Sequence, residues 1–222
     1  MEVLEAIKTR KSIRGYKPDP VPRKTIEAIL ETARHSPSSL NTQPWQIHVV
    51  TGRPLEEIRK TTLEKFAAGE APRPELPLFQ YEGEYRQRQV GLAVQLFQLM
   101  GITREDKAAR TAWGQRGLRF FDAPVALIIT AERSILAPRA HLDCGFLAHA
   151  ICLAACHYGL GTCIEDQGVY YPEVVRAQTG IPENQRIVIS IALGYPDGDF
   201  PANAVESARE PLGNTCHFHG FA

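Results

Sequence analysis

Apolar positions recur at helical spacing from the first residues: Val3, Leu4 and Ile7 share a face and predict a helix over 1–9. Pro18, Pro20 and Pro22 stiffen the next connection, and Pro22 is placed to open a second helix running to about His35. Its stripe is Ile26, Ile29, Leu30 and Ala33. Gln46–Thr51 reads as a strand, Gly52-Arg53-Pro54 as a turn and Leu55–Ala68 as a helix. Gly69–Pro77 carries three prolines and predicts an exposed loop. Leu78–Gln115 reads as two or three charged helices that also hold Phe79, Tyr81, Tyr85, Phe97 and Trp113. This composition fits a helical excursion over 70–116, packed on the main body of a single domain spanning 1–222.

Ala123–Ala131 is apolar on both faces, which predicts a central strand. His141–Gly159 is apolar nearly all round and predicts a buried helix. Gly145, Ala148, Cys152, Ala155, Cys156 and Gly159 form a small-residue stripe on it, open to the sheet or to a second subunit. Gly161–Glu165 starts a strand, Pro172–Thr179 a short helix and Arg186–Gly194 an alternating strand. Residues 195–222 lack periodicity and are rich in Pro, Gly and Asn, so they read as an extended arm that needs something to lie on.

Charge narrows the partners. Lys+Arg and Asp+Glu are each 25, which argues against a nucleic-acid or anionic-membrane surface. The first helix is charged throughout, unlike a signal peptide, and the clean apolar run at 123–131 is too short to span a bilayer. Five cysteines, an odd number, point to reduced thiols and a cytoplasmic location. His141, Cys144, His149, Cys152 and Cys156 share one helix without the paired spacing of a zinc site, so no metal is expected. Cys156 and His157 are neighbours on a helix and cannot form a dyad, and no GxSxG elbow occurs. Gly159-Leu160-Gly161-Thr162 is half a dinucleotide fingerprint, but it follows a helix and lacks the third glycine.

Three stretches carry the chemistry. Arg10-Lys11-Ser12-Ile13-Arg14-Gly15-Tyr16 places three cations and a hydroxyl in seven residues, a donor set matched to phosphate oxygens. Pro37-Ser38-Ser39-Leu40-Asn41-Thr42-Gln43-Pro44-Trp45 is a rigid polar turn suited to a flat heterocycle. Arg209-Glu210-Pro211-Leu212 lies near the C-terminus. In this order they resemble the RxSxR, PSSxNxQPW and RxPL elements of the FMN-dependent nitroreductase superfamily.

The resemblance implies an α+β fold: a central, mostly antiparallel sheet surrounded by helices, in an intertwined homodimer that exchanges C-terminal arms. It implies FMN at the dimer interface, held by Arg10, Lys11, Ser12, Arg14 and Arg209 of one subunit and by Pro37, Ser38, Ser39 and Asn41 of the other. The GLGT-type turn implies that Cys163, Ile164 and Glu165 approach flavin N5. Ser207 stands where many members carry a second basic residue, leaving the phosphate site one cation fewer. The implied activity is ping-pong reduction of a nitroaromatic or quinone-like acceptor by NADPH or NADH, with the flavin and no protein side chain as the reacting centre. Reductive dehalogenation, reduction of an activated alkene and non-enzymatic flavin binding are the alternatives. Aromatic faces stack on flat acceptors and Arg pairs with nitro or carboxylate oxygens, so Tyr81, Tyr85, Arg88 and Trp113 are the expected acceptor-binding residues.

Overall fold

The doubly apolar run at 123–131 becomes β2 (Val125–Glu132), an inner strand of a four-stranded sheet. The order is β1 (Trp45–Thr51), β2, β4 (Gln185–Gly194), β3 (Gly161–Glu165), antiparallel throughout. The structure, a computed structural model, describes residues 1–221. Ala222, the last residue of the expected arm, lies outside the described residues.

Alternation along β2 explains why both of its faces are apolar. Val125, Leu127, Ile129 and Ala131 pack with α2 (Arg23–Ala33) and α6 (Ala137–His157). Ala126 and Ile128 face the other way, against Leu55 and Ile58 of α3 (Gly52–Ala67), Phe120, Phe121 and α7 (Pro172–Thr179). The remaining helices are α1 (Val3–Thr9), α4 (Gly83–Leu99), α5 (Lys107–Leu118) and α8 (Leu212–Thr215), the last a single turn within the expected arm.

Three expectations need correction. First, α6 is not buried all round: Leu142, Gly145, Phe146 and His149 are exposed. It is long and apolar enough to cross a membrane, but its opposite face is the main wall of the first core. Its small stripe divides, with Ala148, Cys152 and Ala155 buried in that core and Gly145 facing open space. Ala148→Leu is therefore expected to overpack the subunit's own core and lower its stability by about 1–3 kcal/mol, read by thermal unfolding.

Second, 69–77 is a loop without buried residues, as expected, but it is fastened to the body. Arg73 N–H donates to Tyr170 O (2.9 Å) and the Tyr171 hydroxyl to Glu70 O (2.8 Å). The Glu75 carboxylate turns inward to Arg176 (2.9 Å), Arg133 and the Ile187 N–H. Third, the excursion meets the main body unevenly: its two ends are fastened there by Glu75 and Arg116, while α4 packs little. Leu96 is the one buried residue of α4, and Val90 and Val94 are exposed.

Candidate functional site

Residues 10–14 leave α1 as an extended segment alongside β3. Ser12 pairs with Thr162 in a parallel bridge, and Ile13 N–H donates to Thr162 O at 2.9 Å. Ile13 is buried, so strand alternation turns its neighbours Ser12 and Arg14 away from that pocket. Arg10, Lys11, Ser207 and Arg209 line one cavity of about 690 Å³, which unites the two ends of the chain. Arg209 curls over Ser207, donating to its carbonyl and hydroxyl oxygens at 2.7 Å each. Ser12 and Arg14 sit on the same segment outside that lining, and Arg14 Nη1 lies 3.4 Å from Ser12 O. Among the described residues no ion pair joins Arg10, Lys11, Arg14 or Arg209 to a carboxylate. Their positive charge is left for an anion.

The polar turn lies elsewhere on the subunit. Ser39–Asn41 forms one 3-10 turn, with Leu40, Asn41 and Gln43 at positive φ of 51°, 59° and 44°. Such backbone is unfavourable for Leu and Gln, and local bonds hold it in place. Ser38 Oγ accepts Gln43 N–H at 3.0 Å, and both oxygens of Asp143 lie 3.3 Å from Ser39 N. Asp143 is buried on α6. Neither Pro37, Ser38, Ser39 nor Asn41 lines the cavity of Arg10 and Arg209 in the same subunit.

On β3, Cys163 and Glu165 are buried while Ile164 points outward. The Glu165 carboxylate accepts the Gly168 N–H at 2.8 Å and the Ser190 hydroxyl. Burial outweighs those bonds and pushes its pKa up to about 7. Burial also pushes the thiols of Cys163 and Cys144 up to about 12, which keeps them protonated and unreactive at neutral pH.

Tyr81, Tyr85 and Arg88 line a second cavity of about 760 Å³, and its opposite wall is Ser207, Arg209 and Glu210. The two cavities thus share Glu206, Ser207 and Arg209 of the arm. Arg88 is already paired, to Glu84 at 2.7 Å and Glu210 at 2.9 Å, with its guanidinium 5.4 Å over the Tyr85 ring. Trp113 does not join them: its ring lies 6.4 Å from that of Phe121, on α5.

Sequence reasoning missed Asp143, Asn203 and Arg116, which hold the site's backbone. Asn203 takes the amide of Arg14, and Arg116 Nη2 donates to Arg14 O at 3.2 Å. Each is an ordinary residue in its local sequence, and nothing there marks it.

The sequence model of the Nitroreductase family matches residues 7–195. The nitrobenzene nitroreductase of Ectopseudomonas oleovorans is 34% identical over 94% of this chain and 92% of its own. The FMN- and NADPH-dependent nitroreductase NfnB from Sphigopyxis sp. strain HMH superposes with a TM-score of 0.95 at 30% identity, covering 100% of both chains. The FMN-dependent nitroreductase NfnB from Mycobacterium smegmatis, solved in complex with NADPH, gives a TM-score of 0.91 at 29% identity over 97% of each chain.

Proposed function

The chain belongs to the nitroreductase family, and from that premise we propose that it is an FMN-dependent oxidoreductase that uses NADPH or NADH to reduce nitroaromatic or quinone-like acceptors. The observation that carries this reading is the cavity joining Arg10 and Lys11 to Arg209, where cations outnumber the one carboxylate of the lining, Glu206, and form no ion pair with it. Such a donor set fits the terminal monophosphate of FMN. Ser207 adds a hydroxyl to that wall in place of a further cation. When bound, FMN supplies the two-electron chemistry, accepting hydride from the nicotinamide and passing it to the acceptor.

The protein's part is to bind and orient. Arg10, Lys11, Arg14 and Arg209 neutralise the phosphate, Ser12 donates a hydroxyl, and Cys163, Ile164 and Glu165 lie along the flavin ring. Pro37, Ser38, Ser39 and Asn41 come from the second subunit of a homodimer. Their separation from the cavity within one chain supports that division. So do the exposed Leu4, Leu142, Phe146 and Phe218 and the open outer edge of β1, all of which a partner and its exchanged arm would cover. Tyr81, Tyr85 and Arg88 receive the acceptor at the cavity adjoining Arg209, whose lining does not include Trp113. The reading places the enzyme in the cytoplasm, where its free thiols stay reduced.

The test is direct. The purified protein is expected to sediment as a dimer and to release FMN, not FAD, on denaturation. Initial rates of NADPH oxidation at several nitrobenzene concentrations should give parallel double-reciprocal lines. Arg209→Ala removes a charge-assisted contact worth about 1.5–3 kcal/mol, so FMN affinity should fall at least about tenfold. Release of FAD, or unchanged FMN affinity in R209A, defeats the proposal.

A further inference from the structure

Between residues 13 and 17 the basic segment passes from its bridge with Thr162 to a bridge between Tyr16 and Pro196. Ile13 N–H is bonded to Thr162 O and Lys17 N–H to Tyr195 O, both at 2.9 Å, and Gly15 O accepts Asp197 N–H at 3.1 Å, but among the described residues the N–H groups of Arg14 and Gly15 meet no backbone acceptor, which leaves a gap. The side chain of Asn203 fills it. Its Oδ1 accepts Arg14 N–H at 2.7 Å and Gly15 N–H at 3.1 Å, and its Nδ2 donates to Gly15 O and Asp197 O at 2.8 Å each. Both amide hydrogens and the carbonyl oxygen are engaged, so this buried side chain supplies the acceptor that the two backbone N–H groups lack.

The clamp is closed from the other side. Arg116 donates to Arg14 O at 3.2 Å and stacks on Phe200 at 4.7 Å, and Phe200 occupies the space of a Gly15 side chain, 2.1 Å from an added Cβ. Arg14 is thus held at both its N–H and its C=O. Asn203 lies four residues before Ser207 and six before Arg209, beside the buried Val205 that lines the same cavity.

We propose that Asn203 is a positioning residue for the cofactor's phosphate: it fixes the spacing between the Arg10–Arg14 segment and the Ser207–Arg209 segment, and so sets selectivity for FMN over riboflavin. The inference rests on the reading of those cations as the phosphate site. A purely structural asparagine would affect both flavins alike. A spacer of the two cationic segments affects only the ligand that bears a phosphate.

The experiment titrates apoprotein of wild type, Asn203→Ala and Asn203→Asp with FMN and with riboflavin, well below each protein's unfolding temperature. In N203A, FMN affinity is expected to fall at least about tenfold and riboflavin affinity by less than about twofold, since buried amides lose their acceptor. N203D keeps an acceptor for both amides but loses two donors, and should fall between. Equal losses for the two flavins, or an unchanged ratio, overturn the proposal. If wild type itself fails to prefer FMN over riboflavin, the phosphate reading falls and this inference with it. A wild-type measurement stands beside the variants in case they do not fold. Hydrogen exchange at the Arg14 and Gly15 amides should slow further with FMN but not with riboflavin, and equal protection by both overturns the proposal.

Discussion

Replacing Glu75 by alanine should lower the unfolding free energy by about 3 kcal/mol, the low end of what breaking a buried ion pair costs. Its carboxylate is the shared partner of Arg176, Arg133 and the Ile187 N–H, and neither Glu75 nor Arg176 is much exposed. Removal leaves Arg176 with three carbonyl acceptors, those of Ile181, Pro182 and Gln185, and with the exposed Glu183 carboxylate, 3.7 Å away, as its remaining counter-charge. Those bonds hold the loss to the low end. For a domain of this size the melting temperature should drop roughly 6–12 °C. Glu75→Gln, which keeps one acceptor and the volume, should lose less. A melting temperature within a degree of wild type in E75A would remove Glu75 as the anchor of the excursion.

The second large effect depends on pH. Glu165 has a pKa near 7 in the folded chain against 4.5 for the free side chain, because burial disfavours its charged form. A raised pKa means the folded state holds its proton while the unfolded state releases it. The contribution is whole below about pH 4.5, declines as pH rises and is lost above about 7. The span corresponds to about 3 kcal/mol. Glu165→Gln, neutral at every pH and still able to accept from Gly168, should match wild type near pH 4.5 and exceed it by up to about 3 kcal/mol at pH 8. Urea unfolding of the apoprotein across that range measures it, and a pH-independent difference between the two proteins would contradict it.

Much of the fold was legible because its signals are local. Val125–Ala131 announces an inner strand by being apolar at every position but Thr130, and Ile26, Ile29 and Ala33 announce the helix that covers it. The basic segment and the Pro37–Trp45 turn were legible for the same reason, since their chemistry is crowded into seven and nine consecutive residues. What holds them was not. Asn203 acts on Arg14 across 189 positions, Glu75 on Ile187 across 112 and Asp143 on Ser39 across 104. A single polar residue in a turn or on a helix has no periodicity, and its partner becomes defined only when the sheet closes. The outer face of α6 misled for a related reason. Leu142 and Phe146 have the composition of a core, and a lone chain does not show what they meet.

The excursion enters between two strands that are already paired: Thr51 of β1 is matched to Val125 of β2, so the sheet fixes where the insertion begins and ends. Closing a longer segment between fixed ends costs little, about 0.6 kcal/mol for each doubling of its length. Lineages can therefore lengthen, shorten or replace the middle of this insertion with little penalty to the scaffold, provided Glu75 at one root and Arg116 at the other survive. The Arg10–Arg209 cavity is built from other parts of the chain and stays constant through such changes. With Tyr81, Tyr85 and Arg88 receiving the acceptor as proposed, selection acting on this one insertion can diversify the set of acceptors while the cofactor site is inherited intact.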